Sequence, residues 1–381
     1  MNPKTCRAKD AFTGAPVEIR FNADIRSVAT AEGAPEVYVS PGWVDVQVNG
    51  YAGADYNNPA VSEEEIARSI QALFRTGVSR FYATVITNSP ENMTGCLANL
   101  AKAKETLRGG AAMEGFHVEG PHISPEDGPR GAHPKQWVRP PDAGEFRRWQ
   151  EAARGQIRMV TLAPEWPQAP RYIEMLVKEG VVAAIGHTGA DAARIQDAVR
   201  AGATMSTHLG NGAHAVLRRH PNYIWEQLAE DRLMASFIVD GVHLPAAFVK
   251  AAVRAKGIGR SVLVTDAAAP SGCAPGRYRV GEIEVELTKD NRIVLAGEAR
   301  LAASALSMDR GIENLMRLAG LTLGDAVRLA TVNAARAGRL AGRQQGLAAG
   351  ERADFTLFRF DPQSLSIRVE ATYVGGERVF G

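Results

Sequence analysis

Residues 114–121 read Glu-Gly-Phe-His-Val-Glu-Gly-Pro, and a turn-rich loop then runs to a Gly-Ala-His-Pro segment at residues 131–134. The apolar part of this stretch predicts a short buried strand that ends at Glu119, because the glycine and proline that follow break the extended chain. A carboxylate at a strand end that faces a histidine-bearing loop is where α/β barrels place their chemistry. A buried strand followed by an ordinary turn is the alternative interpretation, since glutamates at strand ends are common.

Short apolar runs alternate with longer amphipathic segments on both sides of this stretch, from Trp43 to Asp266. Such alternation is typical of βα units, in which each strand is followed by a helix that packs on the sheet. No GxGxxG motif follows any of the runs. The pattern therefore predicts the α/β class and a (β/α)8 TIM barrel rather than an open doubly wound sheet. The predicted strands span residues 43–49, 79–86, 112–119, 157–163, 181–187, 203–208, 234–240 and 261–266, and the predicted helices lie near 62–76, 91–108, 143–154, 169–179, 190–201, 222–231 and 245–256, with a last pair at 304–318 and 323–337.

The two ends of the chain consist of short, alternating apolar and polar pieces separated by glycine and proline, which predict β-strands. The simplest arrangement pairs both ends in one small β-sandwich-like domain of residues 1–40 and 346–381, beside a catalytic barrel domain of residues 41–345. A β-hairpin near residues 278–295 is predicted as an insertion after the eighth barrel strand.

Composition excludes several classes of protein. The chain has 381 residues, of which 45% are hydrophobic, enough for a large core. Lys and Arg number 44 against 42 Asp and Glu, so the net charge of +2 gives no field for a nucleic-acid partner. Three widely spaced cysteines predict no disulfide framework and favour a cytoplasmic location. Since no run of 18 apolar residues occurs, membrane insertion is not expected.

Side chains of the types that bind metals stand at the ends of several predicted strands. Glu119 ends the third strand, His187 the fifth and His208 the sixth, and all eight histidines of the chain lie between residues 117 and 243. One carboxylate and two imidazoles on one rim suit a divalent transition metal with open positions for water and substrate. Either histidine taken singly is more often a hydrogen-bonded core residue, but the two together with Glu119 favour the metal site.

Asp266 closes the eighth predicted strand and is followed by small residues and a turn. Beside a metal that acidifies its bound water, an aspartate at this place can accept the proton of the water and return it to a leaving amine. A helix N-cap or a salt-bridge partner is the alternative role.

The segment after the sixth strand contains two glycines, Gly210 and Gly212, and two arginines, Arg218 and Arg219. The backbone N–H groups at the glycines are able to approach an anion, and the arginines offer charge-assisted hydrogen bonds to it. A solvated basic turn explains the same residues equally well.

Seven short motifs occur in one order along most of the chain. They read Pro-Gly-Trp-Val-Asp-Val-Gln-Val-Asn-Gly at 41–50, His-Val-Glu-Gly-Pro at 117–121, Gly-Ala-His-Pro at 131–134, Gly-His-Thr at 186–188, Thr-His-Leu-Gly-Asn at 207–211, Asp-Gly-Val-His at 240–243 and Val-Thr-Asp-Ala at 264–267. In this order they resemble the amidohydrolase superfamily and, within it, the N-acetylglucosamine-6-phosphate deacetylase family.

The resemblance implies roles for individual residues. Glu119, His187 and His208 would bind the metal, Asp266 would be the general acid and base, and His133 would be a partner for the scissile carbonyl. The sugar phosphate would meet His243, Asn211, Gly212 and Arg219, with Arg219 reaching across from a neighbouring subunit of a homodimer; Gln47 and Asn49 are further candidates for substrate binding.

Two departures from the family patterns qualify this expectation. Many amidohydrolases end the first strand in His-x-His and bind two metals, whereas Gln47-Val48-Asn49 stands here. Amide side chains are poor ligands for such metals, so we expect one metal per chain, zinc in the first place, although iron, cobalt and manganese accept the same donors.

The second departure concerns the loops at residues 122–130 and 210–216. The family usually reads His-Leu-(aromatic)-Asn-Ala-Met-Pro where this chain reads His-Leu-Gly-Asn-Gly-Ala-His from 208 to 214. We therefore expect deacetylation of an N-acetyl amino sugar phosphate, N-acetylglucosamine-6-phosphate first. A different N-acyl sugar, an N-acyl amino acid or a cyclic amide remain alternative substrates, and a non-catalytic binding protein is a further alternative.

Overall fold

Strands and helices alternate through most of the chain, which a computed structural model describes at residues 2–33 and 35–381. The strands, in chain order, are β1 (Lys4–Asp10), β2 (Pro16–Phe21), β3 (Ile25–Thr30), β4 (Tyr38–Pro41), β5 (Trp43–Val48), β6 (Gly50–Tyr51), β7 (Ala54–Asp55), β8 (Val78–Ile86), β9 (Met113–Glu119), β10 (Ile157–Leu162), β11 (Val182–Ile185), β12 (Met205–Ser206), β13 (Met234–Ile238), β14 (Ser261–Val264), β15 (Gly276–Val280), β16 (Ile283–Leu287), β17 (Ile293–Leu295), β18 (Leu301–Ala303), β19 (Phe355–Asp361), β20 (Ser366–Val374) and β21 (Glu377–Phe380). The helices are α1 (Glu63–Arg75), α2 (Pro90–Thr106), α3 (Ala143–Ala152), α4 (Ala169–Lys178), α5 (Ala192–Arg200), α6 (Tyr223–Ala229), α7 (Ala246–Lys256), α8 (Met308–Asn314), α9 (Leu323–Leu329) and α10 (Val332–Ala337).

Eight parallel strands form the central sheet, in the order β14-β13-β12-β11-β10-β9-β8-β5. The first and last strands meet where the Asp266 N–H donates to the Gln47 carbonyl at 3.0 Å and the Asn49 N–H donates to the Ala267 carbonyl at 2.7 Å. All residues of β5, β11 and β14 are buried, because parallel strands have both faces covered. The predicted barrel is confirmed, and each predicted strand overlaps an observed one.

Most of the predicted helices lie where their capping signals place them. Ser62 begins α1 with a reciprocal capping box to Glu65, and Ser89 accepts a hydrogen bond from the Asn92 N–H at 3.1 Å to begin α2. None of the helices within the described ranges is both long enough and apolar enough to cross a membrane.

The last predicted helix pair was wrong in detail. The segment at 323–337 is two helices, α9 and α10, because Thr331 leaves the helical conformation at φ −129° and ψ −96°. Its hydroxyl donates to the Val327 carbonyl at 2.7 Å, which satisfies the end of α9. The segment predicted at 304–318 begins as a helix only at Met308 and ends in a π-helical turn at Leu315–Ala319.

The two chain ends form one seven-stranded sheet in the order β21-β20-β19-β4-β1-β2-β3. Strand β4 joins the ends, since it pairs with β19 in antiparallel and with β1 in parallel orientation. Asp354, which precedes β19, accepts from Arg80 of β8 at 2.9 Å and so ties this sheet to the barrel. The division into two domains at residues 40/41 and 345/346 stays a prediction.

The insertion after β14 is larger than the predicted hairpin. Strands β15, β16, β17 and β18 form a four-stranded antiparallel sheet across residues 276–303. Strand β15 begins two residues before the predicted span, and β18 lies beyond its end at residue 295; the three residues of β18 are too few to indicate a strand by themselves.

Candidate active site

The three predicted metal ligands meet at the carboxyl end of the barrel strands. The Glu119 Oε1 atom lies 2.8 Å from His208 Nε2 and 3.3 Å from His187 Nε2, and the two imidazole nitrogens are 3.2 Å apart. Donors about 2.0–2.1 Å from one tetrahedral ion are about 3.4 Å from each other. The observed separations are close to that value, so the side chains are arranged to share one ion.

The His187 ring is fixed in the orientation that a ligand needs. Its Nδ1 lies 2.8 Å from the Pro129 carbonyl oxygen, which can only accept a hydrogen bond. In the neutral ring the proton is therefore on Nδ1, and the Nε2 lone pair points toward Glu119 and His208. This second contact is typical of histidines that bind metals.

Three of the site residues have a strained backbone. His187, His208 and Asp266 adopt φ values of 52°, 29° and 52°, in the left-handed region that non-glycine residues seldom enter. Each such residue costs on the order of 1–3 kcal/mol and persists where the surrounding structure imposes it. Their coincidence at one rim indicates a functional site.

Glu119 is held as a carboxylate. Burial opposes the charge, but the contacts with His187 and His208 outweigh it and hold the pKa of Glu119 well below its usual range. Burial alone would lower the pKa of His208, but the hydrogen bond and the charge of Glu119 raise it by more, so the net shift is upward. The Gln47 amide donates to Glu119 Oε1 at 2.9 Å. This hydrogen bond orients the carboxylate. Gln47 does not line the cleft that opens over the site.

Asp266 lies on the same rim and is also positioned by an amide. The Asn49 Nδ2 atom donates to Asp266 Oδ1 at 2.7 Å. Burial first, and the charge of Glu119 second, raise the pKa of Asp266 to about 7. A carboxyl group with such a pKa can both accept and return a proton near neutral pH.

His133 reaches the site from the loop after β9. Burial, with a further contribution from His187, lowers the pKa of His133 to about 3, so the ring is neutral. Its Nδ1 lies 2.8 Å from Thr87 Oγ1, whereas that hydroxyl is 3.5 Å from the Glu119 carbonyl. The shorter contact favours donation from Thr87 to Nδ1, which leaves the proton on Nε2 for a second acceptor.

A cleft opens over these residues and contains most of the other predicted site residues. Asn49, His133, Asn211, Gly212, His243 and Asp266 line it together with the three ligands. The His243 Nδ1 atom lies 2.6 Å from Asp240 Oδ2. Arg219 is exposed and does not line this cleft.

The opposite wall of the cleft is apolar and comes mainly from the inserted four-stranded sheet. Val280, Ile283, Val285 and Leu301 line it, and Ile86 of β8 joins them. No residue of 122–130 lines the cleft, so the divergent part of the loop after β9 meets the site from outside the cleft, through the Pro129 carbonyl that contacts His187.

An alternative ligand set shares two members with the predicted one. Donor atoms of Glu119, His133 and His187 all lie within 4.8 Å of one another. The separations within Glu119, His187 and His208 are 2.8, 3.2 and 3.3 Å, close to those around one ion, and His133 Nδ1 already contacts Thr87. The geometry therefore favours His208 as the third ligand.

Sequence reasoning gave no role to Asp45 or Thr87. Asp45 is fully buried, accepts from Thr265 Oγ1 at 2.5 Å and also accepts from the Gln47 N–H at 3.2 Å. It thus holds the residue before Asp266 and the backbone of Gln47. A charged residue two positions before Gln47 inside an otherwise apolar strand was the available signal.

Comparisons with known proteins show the family of the chain. The family model described as the amidohydrolase family matches residues 38–379. The chain is 35% identical over 324 residues to an N-acetylglucosamine-6-phosphate deacetylase of Bacillus subtilis, which covers 84% of this chain and 80% of the relative. It is 33% identical over 355 residues to that of Homo sapiens, with 90% and 83% covered.

Solved structures show the same likeness. An aspartate-to-alanine mutant of the Mycobacterium smegmatis deacetylase, in complex with N-acetyl-D-glucosamine-6-phosphate, has a TM-score of 0.90 and 31% identity over 100% of both chains. The deacetylase of Thermotoga maritima has a TM-score of 0.85 and 27% identity, with 100% of this chain and 99% of the other covered. From its fold, its site and these matches, the chain belongs to the amidohydrolase family and, within it, to the N-acetylglucosamine-6-phosphate deacetylases.

Proposed function

We propose that the protein hydrolyses the acetamide of N-acetylglucosamine-6-phosphate, releasing acetate and glucosamine-6-phosphate. The observation that carries this proposal is the convergence of Glu119, His187 and His208 beside Asp266 in one cleft. Relatives named N-acetylglucosamine-6-phosphate deacetylase align over most of the chain, and the family is metal-dependent.

Glu119, His187 and His208 would hold one divalent transition metal, zinc in the first place. When bound, such an ion supplies a Lewis acid that polarises a carbonyl and lowers the pKa of water. Gln47 and Asn49 donate hydrogen bonds to Glu119 and Asp266, so both amides serve the carboxylates rather than a second ion. This supports one metal per chain.

Asp266 acts as the general base and then as the general acid. Its free oxygen takes the proton from the attacking water, and the Asn49 amide keeps the carboxyl group in place during the transfer. The same proton then goes to the departing amine nitrogen, which leaves as the amino sugar. A pKa raised by burial suits both steps.

His133 supplies a neutral donor to the acetamide oxygen. The Thr87 contact leaves the ring proton on Nε2. The ring stays neutral at working pH because burial lowers the pKa of His133. A preorganised N–H aimed at an oxygen that gains negative charge stabilises the tetrahedral intermediate of acyl transfer.

The test of the activity is acetate release from a panel of amides by the metal-loaded protein. N-acetylglucosamine-6-phosphate should give the highest kcat/KM, ahead of N-acetylgalactosamine-6-phosphate, both unphosphorylated sugars and N-acetyl amino acids. A higher kcat/KM for an N-acetyl amino acid would replace the proposed substrate. An unphosphorylated sugar that matches the phosphorylated one would remove the phosphate requirement.

We also propose that the protein is a homodimer in which Arg219 reaches the substrate phosphate of the other copy. In the part of the chain that the structure describes, no lysine or arginine lines the cleft. Arg219 is exposed, and Val216, three residues before it, and Trp225, six residues after it, have 89% and 54% of their surface exposed, as apolar side chains available to a second copy. The cytoplasmic location stays a prediction.

Arg219→Ala should raise KM for the phosphorylated sugar at least about tenfold and leave KM for the unphosphorylated sugar unchanged, because it removes one charge-assisted contact. The neighbouring exposed Arg218→Ala is the matched control. Dilution of the wild type to monomers should reproduce the rise. A concentration-independent KM, together with an Arg219→Ala protein of normal KM, would contradict the arrangement.

A further inference from the structure

His214 joins two loops that flank the site. We call residues 120–134 the lid loop and residues 207–222 the β12–α6 loop. The His214 Nε2 atom lies 3.1 Å from Glu126 Oε2 of the lid loop, and its Nδ1 lies 3.0 Å from the Tyr223 hydroxyl at the start of α6. The His214 backbone N–H also donates to that hydroxyl, at 2.7 Å.

The hydrogen bonds form one consistent chain around a neutral ring. Since Tyr223 Oη accepts from the His214 backbone N–H, its own proton is free to go to Nδ1. The ring proton is then on Nε2 and goes to the Glu126 carboxylate. The link therefore does not depend on protonation of His214.

The two loops are also in backbone contact at this point. A Cβ atom at Gly128, where φ is +97°, would lie 3.0 Å from His214 Cα, so a side chain there would press the loops apart. The His214 ring also lies against Gly189, where a Cβ would be 3.2 Å from Cε1.

Both loops contact the proposed metal ligand His187. The lid loop accepts from His187 Nδ1 through the Pro129 carbonyl, three residues after Glu126. The β12–α6 loop passes so close at Gly212 that a Cβ there would be 2.6 Å from the same nitrogen. The His187 ring is held between the loops, and His214 closes them on its outer side.

We infer that Glu126, His214 and Tyr223 form a clasp that fixes the orientation of His187 and slows the loss of the metal. These are positioning residues, because they act through His187 and do not line the cleft. The inference rests on the proposed role of His187 as a ligand. The Glu126 and His214 side chains are 66% and 32% exposed, so their contact adds little to global stability, and its effect falls on orientation.

The experiment measures metal release from the holoenzyme under excess chelator, without substrate. Glu126→Ala and His214→Ala should each release metal about tenfold faster, the lower end of the effect of losing an outer contact of a ligand, because either change frees the loops that hold His187. The double variant should be no faster than His214→Ala, because both changes break the same link. His214→Gln, which keeps a donor toward Glu126, should recover part of the retention.

Asp127→Ala is the matched control. It removes a carboxylate from the same loop, next to Glu126, that pairs with Arg130 and lies outside the clasp; its release rate and melting temperature should equal those of the wild type. Wild-type release rates in both Glu126→Ala and His214→Ala would overturn the clasp. A wild-type protein that retains no metal would instead contradict the proposed metal site, so the two failures are distinguishable.

Discussion

Replacing Asp266 by asparagine should lower kcat by about 10²- to 10⁴-fold, the usual contribution of a general acid and base. Asparagine keeps an oxygen that accepts from the Asn49 amide, which now contacts Asp266 at 2.7 Å, so the shape of the site should persist. Only the proton transfer is lost. Metal content should stay at the wild-type value, because Asp266 is not among the three proposed ligands.

The control for this change is Asp231→Asn, which removes a carboxylate from an exposed pair with Arg260 at 2.9 Å. Its kcat should equal that of the wild type. Undiminished turnover by metal-loaded Asp266→Asn protein would refute the role of Asp266. Loss of metal from this variant would instead assign Asp266 to the ligand set.

The pH dependence of kcat/KM provides a second test of the role of Asp266. A base works only when deprotonated, so kcat/KM should fall as the pH drops through the pKa of Asp266. Burial and Glu119 raise that pKa to about 7, and a divalent cation bound nearby would favour the carboxylate and lower it. The acidic limb should therefore lie below pH 7 and be absent from the residual activity of Asp266→Asn.

The barrel was predictable because its signal is local. Parallel strands covered on both faces are continuous apolar runs, and caps such as Ser62 mark helix starts, so neighbouring residues alone indicate each element. The break at Thr331 was not predictable in this way. The apolar pattern continues through it, and only the turn of the backbone separates α9 from α10.

The residues of the candidate site also differ in whether the sequence alone predicts them. Glu119, His187, His208 and Asp266 follow apolar runs, and ends of parallel strands meet at one rim, so their convergence follows from the fold. Partners that come from distant segments have no such signal. Thr87 is 46 residues from His133, and Glu126 is 88 residues from His214. Only the folded chain shows that they touch.

The second large effect is expected for Glu119→Gln, which should abolish metal retention. Glu119 is buried and contacts both His187 Nε2 and His208 Nε2. It is the only carboxylate in the proposed ligand set. Glutamine has nearly the same shape and can keep the Gln47 contact, but a neutral amide is a poor ligand for these metals. The loss should exceed the roughly 10- to 100-fold effect of outer contacts.

Metal analysis after dialysis measures this directly. The wild type should hold about one equivalent per chain, as expected when Gln47 and Asn49 replace a second imidazole pair. Glu119→Gln should hold almost none and lose activity in proportion, while chelation of the wild type should remove activity that added metal restores. Two equivalents in the wild type would contradict the single site, and an inactive Glu119→Gln protein with full metal would remove Glu119 from the ligands and leave the set of Glu119, His187 and His208 incomplete.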